Sequence, residues 1–439
     1  MIAVPAPQPG VSPAVGSGMV VVRGRVALYS QEFADDPHAA YRDMRKIYGP
    51  LVPVWLEPEV PATLVVGYRT ALQILNDPDR FPADPQIWER DIPDECPAKA
   101  MLRCRRNAVR TAGAEHARYR RAIVDALAPL DLYAVEAAVD QVAEQLINAF
   151  CESGIAELRG QYAAPLTFQV MSQLLGLPPV EAEQAWADMA AILDGVAEAG
   201  PRFAAGLYQV VTATRAALKT SGTAMRNNVI TRLITHPADL DDREVVEQLA
   251  LLLGPGTEPA ANVITNTVLL MMTDPRFAGG MLDGSLSIRD AIDEVLYSDT
   301  PLMNFCMSYP RQAQLIEGVW LPAHQPVVIS MAAANNDPAI LPVGGDRSGN
   351  RAHLSWGGGP HECPAQSLAE IMIHRAIGQL LDVAPDIALA DPHHGVRWRP
   401  GAFHRAVAEL HVVFAACPPL RLAMPPQLQL STSAREMNR

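Results

Sequence analysis

No run of eighteen or more apolar residues occurs in the chain, although 49% of it is hydrophobic, so a transmembrane helix of ordinary length is excluded. The opening stretch, MIAVPAPQPGVSPAVGSG, lacks the basic flank and apolar core of a secretory signal. The expected setting is cytoplasmic and free of membrane. None of the six cysteines (Cys96, Cys104, Cys151, Cys306, Cys363, Cys417) has a CxxC partner or a second ligand at zinc spacing. Neither a disulfide framework nor a zinc site is therefore indicated. His374, His393, His394 and His404 likewise lack a Cys or carboxylate at ligand spacing and read as surface or core residues. Net positive charge is missing too: the formal charge of −13 opposes nucleic acid and anionic lipid as partners, whose phosphates need clustered Lys and Arg. A small, mostly neutral ligand fits better. With no internal repeat and no linker, the reading is one domain over 21–439 behind a loose tail, 1–20, rich in Pro, Gly, Ser and Val.

What is present is mostly helical. HAAYRDMRKIYG reads as a helix stopped by Gly49 and Pro50, followed by a small hairpin from LVPVWL and ATLVVGY. Residues 82–113 read as a long loop, and 115–234 show apolar residues three and four apart, the mark of a helical body. A helix of about thirty residues starts near Asp241 and Asp242, whose charges suit its N-terminal dipole. It carries Gly254, Pro255, Gly256 and Pro259, which predicts distortion there. Beyond it come a short helix, SIRDAIDEVLYSD, strands around a turn in GVWLPAHQPVVISMAAANN, a long irregular loop, and the helix QSLAEIMIHRAIGQLLDVA.

The loop before that last helix is the first candidate for chemistry. Trp356-Gly357-Gly358-Gly359-Pro360-His361-Glu362-Cys363-Pro364-Ala365 delivers one cysteine to a helix N-terminus, which supplies positive potential and free N–H donors to a thiolate. Its small residues suit close approach to something large and flat. On chemistry alone a buried structural cysteine is the default. The segment resembles the haem-binding loop of the cytochrome P450 superfamily: an aromatic residue, Gly, any, Gly, any, a basic residue, any, Cys, any, then Gly or Ala. Every fixed position is filled, and the resemblance extends over nearly the whole chain from about Val21.

That resemblance implies a mainly α (α+β) fold, a large helical lobe with a smaller β-containing lobe, and haem b (iron protoporphyrin IX) between the long central helix and the Cys-bearing loop. Cys363 becomes the axial iron ligand, a thiolate that favours O–O cleavage, with Trp356 and Gly357 in the loop against the cofactor and His361 on a haem propionate. It also implies propionate roles for His116 and Arg120, four apart on one helix face in EHARYRR, and for Arg311 in YPRQAQLIEGVWLPA, beside the strand that lines the haem. Guanidinium groups grip carboxylates with paired bonds. Ferredoxin and ferredoxin reductase are the implied electron donors.

Two departures bear on function. Where the family has Ala or Gly, Gly, any residue, Asp or Glu, then Thr, this chain has Pro255-Gly256-Thr257-Glu258-Pro259. The acid, Glu258, remains, but Pro259 has no hydroxyl to pass protons toward oxygen, and Thr257 lies roughly 200° away round an ideal helix. Where the family has Glu, two residues and Arg, the chain has Glu294 and then Tyr297, so Glu294 needs another cation, Arg347 or Arg351. Glu362, beside the ligand, is a further oddity; it either faces solvent or weakens docking of an acidic donor. The leading expectation is a monooxygenase acting on a small apolar molecule, with poor coupling or peroxide use. The alternative is a non-catalytic haem protein for ligand binding, sensing or partnership. Trp88, Met101, Leu102, Phe203 and Tyr208 are the expected pocket lining.

Overall fold

A computed structural model describes residues 19–420 except 94–95, 97–98, 100–101, 194–195, 222–227, 278–285, 342–346 and 348. Most of the expected tail, and Met101 of the expected lining, lie outside the described residues. The main helices are α1 (Pro37–Tyr48), α2 (Gly113–Leu127), α3 (Leu132–Asn148), α4 (Ala164–Leu175), α5 (Pro179–Leu193), α6 (Ala199–Ser221), α7 (Asp242–Thr273), α8 (Ile288–Ser298) and α9 (Gln366–Val383). The strands are β1 (Val21–Val22), β2 (Arg25–Ala27), β3 (Leu51–Glu57), β4 (Val60–Val65), β5 (Ile155–Glu157), β6 (Asn304–Ser308), β7 (Gln314–Ile316), β8 (Val319–Leu321), β9 (Val327–Ser330), β10 (Ala388–Leu389) and β11 (His411–Val413).

Local chemistry sets the boundaries. Asp36 caps α1 by accepting the Ala39 N–H at 2.9 Å, Pro37 opens the helix, and Gly49 at φ 74° ends it. The hairpin β3–β4 pairs Leu51 with Val65 and Val54 with Ala62, and a six-stranded sheet forms in the order β1-β2-β3-β4-β9-β6. Two short elements escaped the sequence reading. β5 and a π-helical turn, Arg159–Ala163, interrupt the helical body. MAAAN, read as part of a strand, is helical, because Ser330 caps it by accepting the Ala333 N–H at 3.2 Å.

One large apolar core joins α2, α3, α4, α7 and α9, with Tyr119, Val139, Leu166, Leu253, Ile264 and Ile377 all buried. Smaller cores lie on the two faces of the main sheet. The long helix α7 runs unbroken for 32 residues through both prolines. Pro255 and Pro259 lack N–H groups, so the carbonyls of Leu251 and Pro255 lose their usual helical donors.

The start of α7 is tied down by a capping box in which Asp241 accepts the Glu244 N–H at 2.8 Å and Glu244 accepts the Asp241 N–H at 3.0 Å. Glu244 is also gripped by Arg106 at 2.6 Å, by Arg118, and by the Tyr119 hydroxyl at 2.8 Å. Arg118, expected on the surface, thus helps hold this buried acid. Burial pushes the Glu244 carboxyl up, but Arg118 and the Asp241 N–H outweigh it, and its pKa lies below the ordinary value of 4.5. A depressed folded pKa contributes stability above the unfolded value that is lost as pH falls through the folded one. Glu244→Gln should therefore cost about 2 kcal/mol at pH 7, limited by the partial exposure of both arginines, and should flatten the acid limb of stability below about pH 4.5. Urea melts at pH 7 and pH 4 read both effects.

Candidate functional site

Cys363 stands three residues before α9, in a loop folded back on itself so that the Cys363 N–H donates to the Trp356 carbonyl at 2.8 Å. Burial pushes the Cys363 thiol up, opposed by the Ala365 N–H that donates to its sulfur and by the nearby Arg120 guanidinium. The loop thus offers a sheltered sulfur with a donor and a cation set to favour its thiolate.

The glycines act differently from the flat-ligand reading. Gly357 and Gly359 hold positive φ of 76° and 63°. A Cβ at Gly359 would meet the Leu75 carbonyl oxygen at 2.1 Å, and one at Gly358 would meet Leu75 Cδ1 at 3.3 Å. They let the loop press against the helix Tyr68–Leu75. Gly359→Ala, combining φ strain with a backbone clash, should cost about 3 kcal/mol in a urea melt, whereas Gly357→Ala, with only φ strain, should cost about 1 kcal/mol.

Basic side chains gather at this loop. His116 and His361 face each other with ring centroids 4.0 Å apart, and the His361 ring engages the Ala108 carbonyl through Nδ1 at 3.1 Å. Burial, helped by Arg120, lowers the His116 pKa; burial and His116 push His361 down to about 4. Arg120 is half-buried, and burial lowers its pKa against the pull of Cys363 and Glu362. His116, Arg120, His361 and Cys363 are thus brought together as the sequence suggested.

Arg311 is not among them. It stands exposed beyond Pro310, whose carbonyl accepts the His324 N–H at 2.7 Å, and it lines a pocket of about 170 Å³ with Asp84, Gln86, Ile87, Trp88, Tyr309 and His324. The buried guanidinium is Arg110. It is 4% exposed, its Cζ lies 5.5 Å from the Phe305 ring centroid of β6, and it acts electrostatically on both His361 and Cys306. A turn aims it inward: Asn107 Oδ1 accepts the N–H groups of Val109 and Arg110 at 3.0 and 3.1 Å, and the Thr111 hydroxyl donates to the Asn107 carbonyl. The Asn107-to-Thr111 turn is the only sequence signal that could have marked it.

Among the described residues, the buried His116 Nε2 and Trp356 Nε1 have no hydrogen-bond partner. Together with Arg110, Arg120 and the sulfur of Cys363, they suit a group that brings carboxylates to the cations and a thiophilic metal to the cysteine.

On α7, Thr257 is buried and its hydroxyl donates to the Leu253 carbonyl at 2.6 Å, so it is spent within the helix. Glu258 sits between two guanidiniums, Arg399 at 2.6 Å and Arg159 at 3.2 Å. Burial raises its pKa, but the two arginines more than reverse this, and it lies below the ordinary carboxylate value. Pro259 is half-buried and offers no polar side-chain atom.

The cation beside Glu294 is Arg276, at 3.7 Å, not Arg347 or Arg351. Arg347 lies 4.9 Å over the Tyr297 ring and bonds Asn336 Oδ1 at 2.7 Å and the Ser298 hydroxyl at 3.4 Å, while Arg351 pairs with Asp293 at 3.2 Å. The Ser298 hydroxyl donates to Glu294 at 3.0 Å and so links the two groups. The phenol at position 297 thus draws the loop arginine by its π face instead of repelling it. Glu362 is exposed. Of the expected pocket lining, Trp88, Leu102 and Phe203 are buried and Tyr208 is 43% exposed.

No family model matches the chain. It is 24% identical over 400 residues to Cytochrome P450 107B1 of Saccharopolyspora erythraea, covering 88% of this chain and 96% of that protein. It is 25% identical over 395 residues to the cytochrome P450 monooxygenase PikC of Streptomyces venezuelae, covering 87% and 92%. With the mycinamicin IV hydroxylase/epoxidase of Micromonospora griseorubida it shares 27% identity over 364 residues, covering 80% and 89%. Among solved structures, the myxobacterial cytochrome P450 CYP267B1 in complex with myristic acid superposes with a TM-score of 0.75 at 25% identity, covering 88% of this chain and 98% of that one. CYP154A1 from Streptomyces coelicolor gives 0.75 at 23% identity, covering 87% and 98%.

Proposed function

This chain belongs to the cytochrome P450 superfamily, and from that premise we infer that it is a haem-thiolate monooxygenase acting on a small, largely apolar organic molecule. The observation that carries the reading is the convergence of Arg110, His116, Arg120 and His361 around the loop that presents Cys363. Kinship to proteins named monooxygenase and hydroxylase favours an enzyme over a non-catalytic haem protein.

Haem b bound here supplies oxygen activation at an iron held by the cysteine. The residues of the chain do the rest. Cys363 would give the thiolate to the bound iron; burial alone pushes this thiol up, and the Ala365 N–H and Arg120 oppose that push. Arg110, Arg120, His116 and His361 are the residues that would hold the two propionates, and His116 Nε2, buried without a partner among the described residues, would then have an acceptor. Arg311 takes no part. Trp88, Leu102 and Phe203, all buried, are the apolar residues that would surround the substrate.

Proton supply is the weak point. Glu258 is held as a carboxylate by two arginines, Thr257 is committed to the Leu253 carbonyl, and Pro259 has no hydroxyl. Glu258 can pass a proton only after an arginine swings away, and water must carry it onward. Pro259→Thr restores a hydroxyl and, with it, a helical N–H; the ratio of product to hydrogen peroxide should rise about 10-fold. Peroxide release measured against reducing equivalents consumed checks this.

A ferredoxin with its reductase is the proposed electron source, and the cytoplasm the proposed setting; among the described residues no helix is long and apolar enough to cross a membrane. The function is tested by incubating the holoprotein with a surrogate ferredoxin, its reductase and a panel of macrolide, steroid and fatty-acid substrates. Products carrying one added oxygen atom support it. Consumption of reducing equivalents yielding only peroxide across the panel, with no spectral response to any candidate, counts against it.

A further inference from the structure

Outside the haem site, two cysteines far apart in sequence face each other. β11 pairs antiparallel with β5, His411 opposite Glu157, Val412 opposite Ala156 and Val413 opposite Ile155. The pairing continues past the strands: the Phe414 N–H donates to the Gly154 carbonyl at 3.0 Å, and the Cys417 N–H donates to the Cys151 carbonyl at 3.0 Å. The same register, carried on, sets Cys417 directly opposite Cys151. The backbone hydrogen bond from Cys417 to Cys151 holds the two main chains together, and a disulfide needs Cα atoms within about 7 Å of each other. Burial, with the Cys417 thiol beside it, pushes the Cys151 thiol up.

The surroundings hold this approach in place. Gly154, at φ 69°, leaves room where a Cβ would meet the Phe414 carbonyl oxygen at 2.9 Å. Asn148 brackets Leu420, donating to its carbonyl at 3.1 Å and accepting its N–H at 2.6 Å. Cys151 is fully buried and Cys417 is half-buried, so an oxidant meets Cys417 first and Cys151 stands ready behind it.

We propose that Cys151 and Cys417 form a reversible disulfide, a peroxide-responsive clamp at the base of the β5–β11 ladder. The Cys417 sulfur attacks hydrogen peroxide, breaking the O–O bond, taking one oxygen as a sulfenic acid and releasing water. The Cys151 sulfur then attacks Cys417, forming the S–S bond and expelling the second water. Two electrons pass from the thiols to the peroxide. Peroxide is what unproductive turnover beside Pro259 releases, so its source rests on the function proposed above; the thiol chemistry does not.

The location gives the clamp a target. β5 leads directly into Arg159, and β11 follows the hairpin that carries Arg399, where Trp398 pairs with Val407. Both segments deliver a guanidinium to Glu258. A bond between Cys151 and Cys417 ties the two segments together at the end of the β5–β11 ladder away from Arg159 and would restrain their separation.

The test uses the full-length holoprotein, treated with hydrogen peroxide, quenched with an alkylating agent and read by intact mass and peptide mapping. A loss of two hydrogens, a fragment joining Cys151 to Cys417, a rise in melting temperature of roughly 5 °C, and reversal of all three by dithiothreitol are expected. Cys417→Ser, which touches neither haem nor substrate, should keep the native melting curve and show none of these responses. The proposal is overturned if Cys417 proceeds to a sulfinic acid with Cys151 still alkylated after unfolding, or if the bridge forms between other cysteines. None of these readouts depends on turnover, so a failed monooxygenase assay leaves the outcome legible.

Discussion

Cys363→Ala should lower oxygenation by at least about 10³-fold while leaving the melting curve close to wild type. The sulfur is the one soft ligand in the loop, and removing it takes away the electron donation that oxygen activation needs. Little folding energy depends on it. The loop is shaped by backbone contacts, the Cys363 N–H to the Trp356 carbonyl and the close approach to Leu75, and alanine keeps the N–H. Product formation per mole of protein, beside a thermal melt, separates lost chemistry from lost structure. A variant that retained a tenth of its activity would place the ligand elsewhere.

Arg110→Leu carries the second large effect. Arg110 is buried beside Phe305 and would pair with a propionate once haem is bound. Leucine removes that grip, so haem affinity should fall about 10- to 100-fold. Arg311→Leu, at an exposed site, should change affinity by less than about 2-fold. Haem transfer to apomyoglobin gives both rates. Equal losses in the two variants would mean that Arg311 moves in when haem binds and that Arg110 is structural.

The contrast between these arginines shows what the chain discloses in order and what it does not. Cys363 and His361 lie within one short loop, and His116 and Arg120 lie one turn apart, so the spacing along the chain is already the spacing in space. The haem expectation followed from the family resemblance that those local patterns carry, and the helical body followed from apolar periodicity. Arg110 is different, because its value comes from a turn at Asn107 that meets β6 almost two hundred residues later. Glu258 looked like a free acid in sequence; only the fold brings Arg159 and Arg399 to it from opposite sides of the chain. Tyr297 looked like a lost ion pair, yet the ring holds Arg347 and Glu294 finds Arg276. Cys151 and Cys417 each read as isolated thiols, since an antiparallel register across so long a separation leaves no trace in spacing.

The helix α7 is instructive in the other direction. Two prolines four residues apart predict a distorted helix, and the helix runs on through both. Its capping box, its burial against α4 and α9 and the Thr257 back-bond to Leu253 outweigh the loss of two hydrogen bonds. The result is two carbonyls freed on one face beside the only acid in the stretch, a place where water can be held.

The central claim, that Cys363 presents a thiolate to haem iron, is tested most directly by the carbon monoxide difference spectrum of the purified, reduced protein. A strongly red-shifted Soret band of the thiolate type, absent in Cys363→Ala, is the predicted result. A band of the imidazole or neutral-thiol type in the wild-type protein, or no haem uptake at all, would contradict it.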